Sequence, residues 1–448
     1  SGGRAVACSL GVWLGAAVSS PALPMLQIIH GWPDAPEAQD ALRQRLRERG
    51  FGGVVCNVSF DRYLESDEKW AAFTRAVKEA KRDGMTLWLY DERGYPSGNA
   101  GGIVLRDHPD WEASGLMVAR AEAGAGKVEL DVPPGRVFLA AAYPARDGAL
   151  DPAQAVDLTA AIRDGQLTWE APVGRWTVLA IAEGKLYEGT HAEGNLAKKM
   201  PYVDLLRPEP TACFLEATHR RYAQRLSANL GEYFEAAFMD EPSLMSLYLR
   251  PMPWRPLPWA PNLPVEFGRR RGYALDGRVV LSLLAETGPP TAKHRYDFWR
   301  TVGELVSENF FGQIQTECRR LQFPSGGHLL MEEGLVSQVP LYGDFFACAR
   351  RLDAPSIDCL TSIPAETPWQ IARQMASVAE LEERRLTMCE TSDHSQVYRP
   401  AGDNRPKRIV TEAEMRGTLN RLILGGINRI TSYYRYTEIP AEVLRRVN

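Results

Sequence analysis

MTLWLYDERGYPSGNAGG, residues 85–102, opens with a short apolar run, Leu87-Trp88-Leu89-Tyr90. It delivers two adjacent acids, Asp91 and Glu92, and then enters a loop rich in Gly, Pro, Ser and Asn. A buried strand that ends in carboxylates and a permissive loop is how a parallel barrel presents chemistry at one rim. The simpler reading is that the two acids only cap the turn that follows. The neighbouring segments decide between the two.

Upstream, an order of helix, glycine and apolar strand repeats. Ala38, Leu42 and Leu46 share one helical face, Gly50 ends that helix, and GGVVCNVSF (52–60) reads as a buried strand. Ser66 is placed to cap a second helix, with Asp67 and Glu68 in its electropositive first turn, and Gly84 ends it directly before the quoted strand. The same order returns near the end, where the capping box Thr411-Glu412-Ala413-Glu414 precedes Gly425-Gly426 and an apolar strand. Strands are expected at 26–30, 52–60, 85–90, 235–240, 327–332, 356–360, 386–390 and 427–434. Eight parallel strands close a barrel, so the fold class is α/β, a (β/α)8 TIM barrel. A doubly wound open sheet is the runner-up, weakened by the lack of G-x-G-x-x-G after the first strand.

Residues 115–185 break the helical pattern. Short strands punctuated by PPGR and APVGRW predict an antiparallel, sandwich-like domain inserted after strand three. The expected organisation is an extension at 1–22, a barrel from 23–114 and 186–448, and the insertion at 115–185. Within the extension, Arg4, an apolar run and Pro21-Ala22 resemble a signal peptide, with a structural or non-native extension as the rival. Secretion or a periplasmic site and a cytoplasmic site therefore both stay open. The chain stops soon after strand eight, so further C-terminal material is expected in the native protein.

The 448 residues carry a net charge of only −4 and no long basic run, so neither a nucleic-acid partner nor a membrane is expected. The seven cysteines include no C-x-x-C, which removes a zinc cage and a thioredoxin motif. There is no H-E-x-x-H, no G-x-S-x-G elbow and no phosphate-cradling glycine loop.

What stands out is acid at strand ends: Asp91-Glu92, Asp240-Glu241, Glu332-Glu333, Asp358 and Glu390. Buried carboxylates are costly unless paired, so packing alone does not place them there repeatedly. Converging acids split their pKa values, which separates an acid from a base, and two carboxylates across a sugar bond are the general glycosidase arrangement. Trp32, Tyr95, Trp259, Trp369, Tyr433 and Tyr434 suit sugar stacking, with ordinary packing as the bland alternative. His30, His328 and His394 lie near strand ends, where hydrogen-bonded core positions or sugar-hydroxyl contacts are expected. Surplus acids could also hold a hard cation such as calcium.

YDERGYPSGNAGG, FMDEPS, GHLLMEE, YGDFF, the DLT…DGQLTWEAPVGRW stretch and GGINRITSYY together resemble glycoside hydrolase family 106 and its relatives, over residues 25–440. The resemblance implies a barrel with inserted and appended β domains, inverting hydrolysis of α-L-rhamnosides, and calcium dependence. It places the general acid at Glu241 and the general base at Glu390, with Glu332 or Glu333 able to replace either. Appended C-terminal β domains are missing from this chain, which leaves glycosidase chemistry firmer than the choice of rhamnose.

The sugar subsite is then expected to be lined by His30, Asp91, Glu92, Tyr95, Asp240, His328, Glu333, Asp344, Asp358, His394 and Tyr433. The expected partner is an oligosaccharide or glycoside. A retaining glycosidase with Glu390 as nucleophile, and a non-catalytic carbohydrate-binding barrel, are the rivals.

Overall fold

The computed structural model describes residues 24–186, 201–244, 254–359, 364–365, 367–391, 412–432, 442 and 445–446. Eight parallel strands close a barrel. In chain order they are Met25–Ile29, Gly53–Cys56, Thr86–Tyr90, Ala236–Asp240, Gly326–His328, Ala354–Cys359, Met388–Thr391 and Arg429–Ser432. The first and last strands seal it, with Leu26 beside Thr431.

Side chains alternate along each strand, so every second residue points inward. Leu26, Ile28, Val55, Trp88, Tyr90, Ala236, Phe238, Ala354 and Met388 fill the interior as one apolar cluster. The opposite faces carry Val54, Leu87, Leu89, Ala237, Met239, Ile357 and Cys389 into a larger shell packed under the helices. At the N-terminal end Glu235 accepts from Arg429 Nε at 2.8 Å and from Trp88 Nε1 at 2.9 Å, which ties three strands together. At the other end the same alternation delivers polar groups.

The first two helices form as their sequences require. Ser66 caps Asp67–Arg82 by accepting from Lys69 N. Gly84 then takes φ +76°, the left-handed turn that releases the chain into the third strand. Gly327 in the fifth strand lies against the fourth so closely that a Cβ there would come within 2.2 Å of the Met239 carbonyl oxygen.

After the third strand the chain builds two antiparallel sheets. Trp176–Lys185 runs between Ser114–Ala123 and Arg136–Arg146, and Gln166–Ala171 pairs with Gly126–Asp131 in the second sheet. Ala119, Ala142, Leu158, Leu167, Val178 and Ala180 form their shared core. An edge strand comes from elsewhere: Arg255–Trp259, which follows barrel strand four in the chain, pairs with Ser114–Ala123. The sequence reads as a loop there because Pro256 and Pro258 interrupt it. Proline lacks the N–H that an inner strand needs but is tolerated at an edge. Strand five is also shorter than its apolar run suggests. It ends at His328, and Met331 turns away at φ +62°, which leaves Glu332 and Glu333 on the following loop. Among the described residues no helix is long and apolar enough to cross a membrane.

Candidate active site

The inward positions at the C-terminal ends of strands three to seven gather Tyr90, Asp240, His328, Asp358 and Glu390. Register places Asp240 beside His328 and Asp358 beside Glu390. His328 is the hub. Its Nε2 lies 2.7 Å from Glu390 Oε2 and 3.5 Å from Asp240 Oδ1, and its Nδ1 lies 3.1 Å from the Leu329 carbonyl oxygen. A carbonyl oxygen only accepts, so Nδ1 carries a hydrogen. Nε2 faces acids and carries the other. Burial by itself lowers the imidazole, but Glu390, Asp240 and Asp358 overrule it and hold His328 well above its usual range. Among the described residues the imidazolium is the one cation within a ring of carboxyl groups, and the shortest of its contacts goes to Glu390.

The surrounding acids do not all ionise together. Burial pushes Asp240 up to about 8, opposed by His328 and by the Tyr90 phenol, which donates to Asp240 Oδ2 at 2.5 Å. Burial likewise lifts Glu332 to about 8 and Asp358 well above the carboxylate range. Glu332 Oε1 accepts from Asp358 N at 3.3 Å. Glu241, 9% exposed, follows the fourth strand at φ +46°. A non-glycine residue seldom adopts that conformation, and such strain concentrates at functional sites. It brings a Glu241 oxygen within 4.8 Å of ligand atoms of Asp240 and His328.

Among the described residues, that trio is the group whose spacing suggests a metal. It does not fit calcium. Calcium takes six to eight oxygen ligands, whereas here one donor is a histidine with both nitrogens engaged, by Glu390 and by the Leu329 carbonyl. Asp240 Oδ2 is taken by Tyr90 as well.

The loop of residues 85–102 plays a part that its sequence did not reveal. Glu92 is buried and accepts five backbone N–H groups, from Arg93, Gly98, Asn99, Ala100 and Gly101, at 2.5–3.1 Å. Burial pushes its carboxyl up to about 7, and four of those N–H groups (Arg93, Gly101, Asn99 and Ala100) pull the other way. Asp91 is fully buried and accepts from Ser97 Oγ at 2.6 Å. Ser97 in turn clamps the fourth strand: its Oγ accepts from Asp240 N and its N–H donates to the Asp240 carbonyl, both at 2.9 Å. Asp91 and Glu92 are therefore corrected from sugar contacts to scaffolding: both Glu92 oxygens and Asp91 Oδ1 are spent inside the loop, and Asp91 Oδ2 is buried 4.0 Å from His219 Nε2. Asp344 is corrected too. It caps Phe345–Ala349 by accepting from Ala347 N at 2.9 Å and lies against Gly303 of an outer helix.

His30 packs its ring against Phe60 and Tyr90 at 4.6 and 4.8 Å, and burial lowers it to about 4, so it is a neutral wall beside Tyr90. Tyr95 is half-buried on the third loop and Glu333 is exposed on the fifth. His394, Tyr433 and Tyr434 lie outside the described residues. Of the candidate stacking rings, Trp32 and Trp259 are buried packing, while Trp369 is exposed.

Tyr90 and Ser97 were missed by sequence reasoning. Alternation along Leu87–Tyr90 would have placed Tyr90 inward, on the Trp88 face. Nothing local marks Ser97.

Residues 117–429 match the family model for glycoside hydrolase 106, described as alpha-L-rhamnosidase. A rhamnosidase structure from Novosphingobium sp. PP1Y superposes with TM-score 0.57 at 14% identity, over 92% of this chain and 55% of that one. A beta-galactosidase structure from the psychrophilic Marinomonas ef1 gives 0.53 at 11%, over 95% and 58%. A protein of Formosa agariphila that bears a beta-glucuronidase name is 23% identical over 168 residues, 37% of this chain and 14% of that one. The chain thus spans little more than half of the two solved relatives and a small part of the third. At these identities the structural matches speak for the barrel.

Proposed function

The chain belongs to the glycoside hydrolase 106 family, and on that premise we propose that it hydrolyses a terminal glycoside, an α-L-rhamnoside or a related deoxy-sugar, with inversion. The supporting observation is the Glu390–His328 contact of 2.7 Å at the rim of a closed barrel. A general base must be ionised before it can take a proton from water. The imidazolium beside Glu390 pins Oε2, which leaves Oε1 for the water. As the water oxygen attacks the anomeric carbon, its proton passes to Glu390. On the other face Glu241 gives its proton to the leaving oxygen as the glycosidic bond breaks. Inversion turns an α-glycoside into a β-sugar.

A second assignment of the acid has an observation of its own. Glu332 is held up to about 8 by burial, so it keeps its proton at neutral pH, as an acid must. Glu241→Gln and Glu332→Gln separate the two. Loss of the acid slows substrates with poor leaving groups by about 10²–10⁴-fold and spares activated aryl glycosides. The first experiment is a screen of aryl glycosides, α-L-rhamnoside included, with added calcium and with chelator. No hydrolysis of any glycoside, together with glycan binding, would replace this proposal by a carbohydrate-binding barrel.

A further inference from the structure

Resting on Glu241 as the general acid, we propose that Ser97 is a positioning residue: it sets the Asp240–Glu241 peptide and so aims the Glu241 carboxyl. Strand three ends at Tyr90, and the next residue makes its last bond to strand four, from Asp91 N to the Phe238 carbonyl oxygen at 3.2 Å. Along a strand, every second residue turns its N–H and C=O toward the same neighbour. Asp240 therefore presents both groups to the place where strand three has just stopped. Ser97 fills that place. Its Oγ accepts from Asp240 N and its N–H donates to the Asp240 carbonyl, both at 2.9 Å.

That carbonyl and the Glu241 N–H belong to one planar peptide unit. Holding the carbonyl fixes the plane from which Glu241 takes its φ of +46°. The conformation is doubly unfavourable. A side chain resists the left-handed region, and the residue before a proline, here Pro242, is pushed toward extended backbone. It persists only where the surroundings over-determine it. Without the hold, Glu241 relaxes to negative φ and its carboxyl swings away from Asp240 and His328, whose ligand atoms it approaches within 4.8 Å.

Ser97 is itself immobilised. Its Oγ donates to Asp91 Oδ1 at 2.6 Å, and its carbonyl accepts from the Tyr202 hydroxyl. The next residue, Gly98 at φ +135°, lies so close to Val203, Tyr202 and Phe310 that a Cβ would come within 3.1–3.3 Å of them. All three polar atoms of Ser97 are thus engaged by protein. Ser97 and Tyr202 are both buried, out of reach of a sugar, and they act through the backbone of Asp240.

The test pairs crystal structures with kinetics of the full chain. Ser97→Ala removes the hydroxyl and returns Glu241 to negative φ with its carboxyl displaced. With poor leaving groups kcat falls about 10²-fold, while KM and the rate on activated aryl glycosides hold. Ser97→Thr, which keeps the hydroxyl, retains the rate. Combined with Glu241→Gln, Ser97→Ala slows the reaction no further, as expected of residues acting as one unit. Tyr202→Phe loses one bond to Ser97, keeps the ring and shifts both readouts the same way by less, so it carries the test alone if Ser97→Ala does not fold. Glu241 still near φ +46° in both variants, or equal slowing of good and poor leaving groups, overturns the proposal. A chain that hydrolyses no glycoside, or a Glu241→Gln variant that spares poor leaving groups, refutes the proposed acid. The Glu241 backbone in the two crystal structures then still decides the role of Ser97.

Discussion

Replacing Glu92 by Gln is a one-atom change with a large expected effect. Five backbone N–H groups converge on the two carboxylate oxygens, three on Oε2 and two on Oε1. Glutamine keeps one acceptor oxygen. In its better orientation it retains the donors from Gly98, Asn99 and Ala100 and turns an NH₂ toward those of Arg93 and Gly101. Above about pH 7, where the Glu92 carboxyl is ionised, two hydrogen bonds to a charged group are lost, at about 1.5–3 kcal/mol each, or roughly 3–6 kcal/mol together. A domain holds only about 5–15 kcal/mol in all, so the loop opens or the barrel unfolds early. Urea unfolding gives the global change, and hydrogen exchange at the five amides locates it. Ser97 moves with the loop, so kcat falls while KM for the glycoside changes little. An unchanged midpoint with unchanged protection would refute the cradle. Weaker substrate binding on an intact loop would return Glu92 to the sugar.

Other outcomes follow from single contacts. Gly327→Ala places a Cβ 2.2 Å from the Met239 carbonyl oxygen at φ +119° and should destabilise the barrel by about 3 kcal/mol or more, read by calorimetry or as loss of soluble protein. Glu317 is held at about 2 by Arg320 and Arg220 against burial, below its ordinary 4.5. That depressed value stabilises the fold above about pH 4.5, and the contribution fades as pH falls toward 2. Glu317→Gln should therefore lose about 1–3 kcal/mol near neutrality and nothing at the acid end, measured by denaturation across pH. If Glu332 is the acid, activity falls as pH rises through about 8, and Glu332→Gln removes that limb. A limb that persists in Glu332→Gln leaves Glu241 in the role.

The barrel was legible because its signals are local and periodic. Gly84 ends one helix and Leu87 begins a strand, and the same order marks the other units. The edge strand Arg255–Trp259 was not legible, since its two prolines read as loop and its partner lies more than a hundred residues away. Within the site, Asp240 and Glu390 could be found from strand-end position alone, because alternation fixes which way they face. Asp91 and Glu92 look the same in sequence, yet both end up sealed inside the loop. What separates the two pairs is where Ser97 and the amides of 98–101 fold back, and that is not written in the spacing of the acids. Asp344 misleads for a related reason, as a helix cap and a sugar ligand call for the same residue type. Tyr90 was hidden inside an apolar run that reads as core.

The most direct measurement is NMR of aryl α-L-rhamnoside hydrolysis by the wild type and by Glu390→Gln. The expected first product is β-L-rhamnose, formed about 10²–10⁴-fold more slowly by the variant, with the wild-type unfolding midpoint retained. Near-wild-type turnover by Glu390→Gln would contradict the base assigned here, and α-L-rhamnose as the first product would contradict inversion.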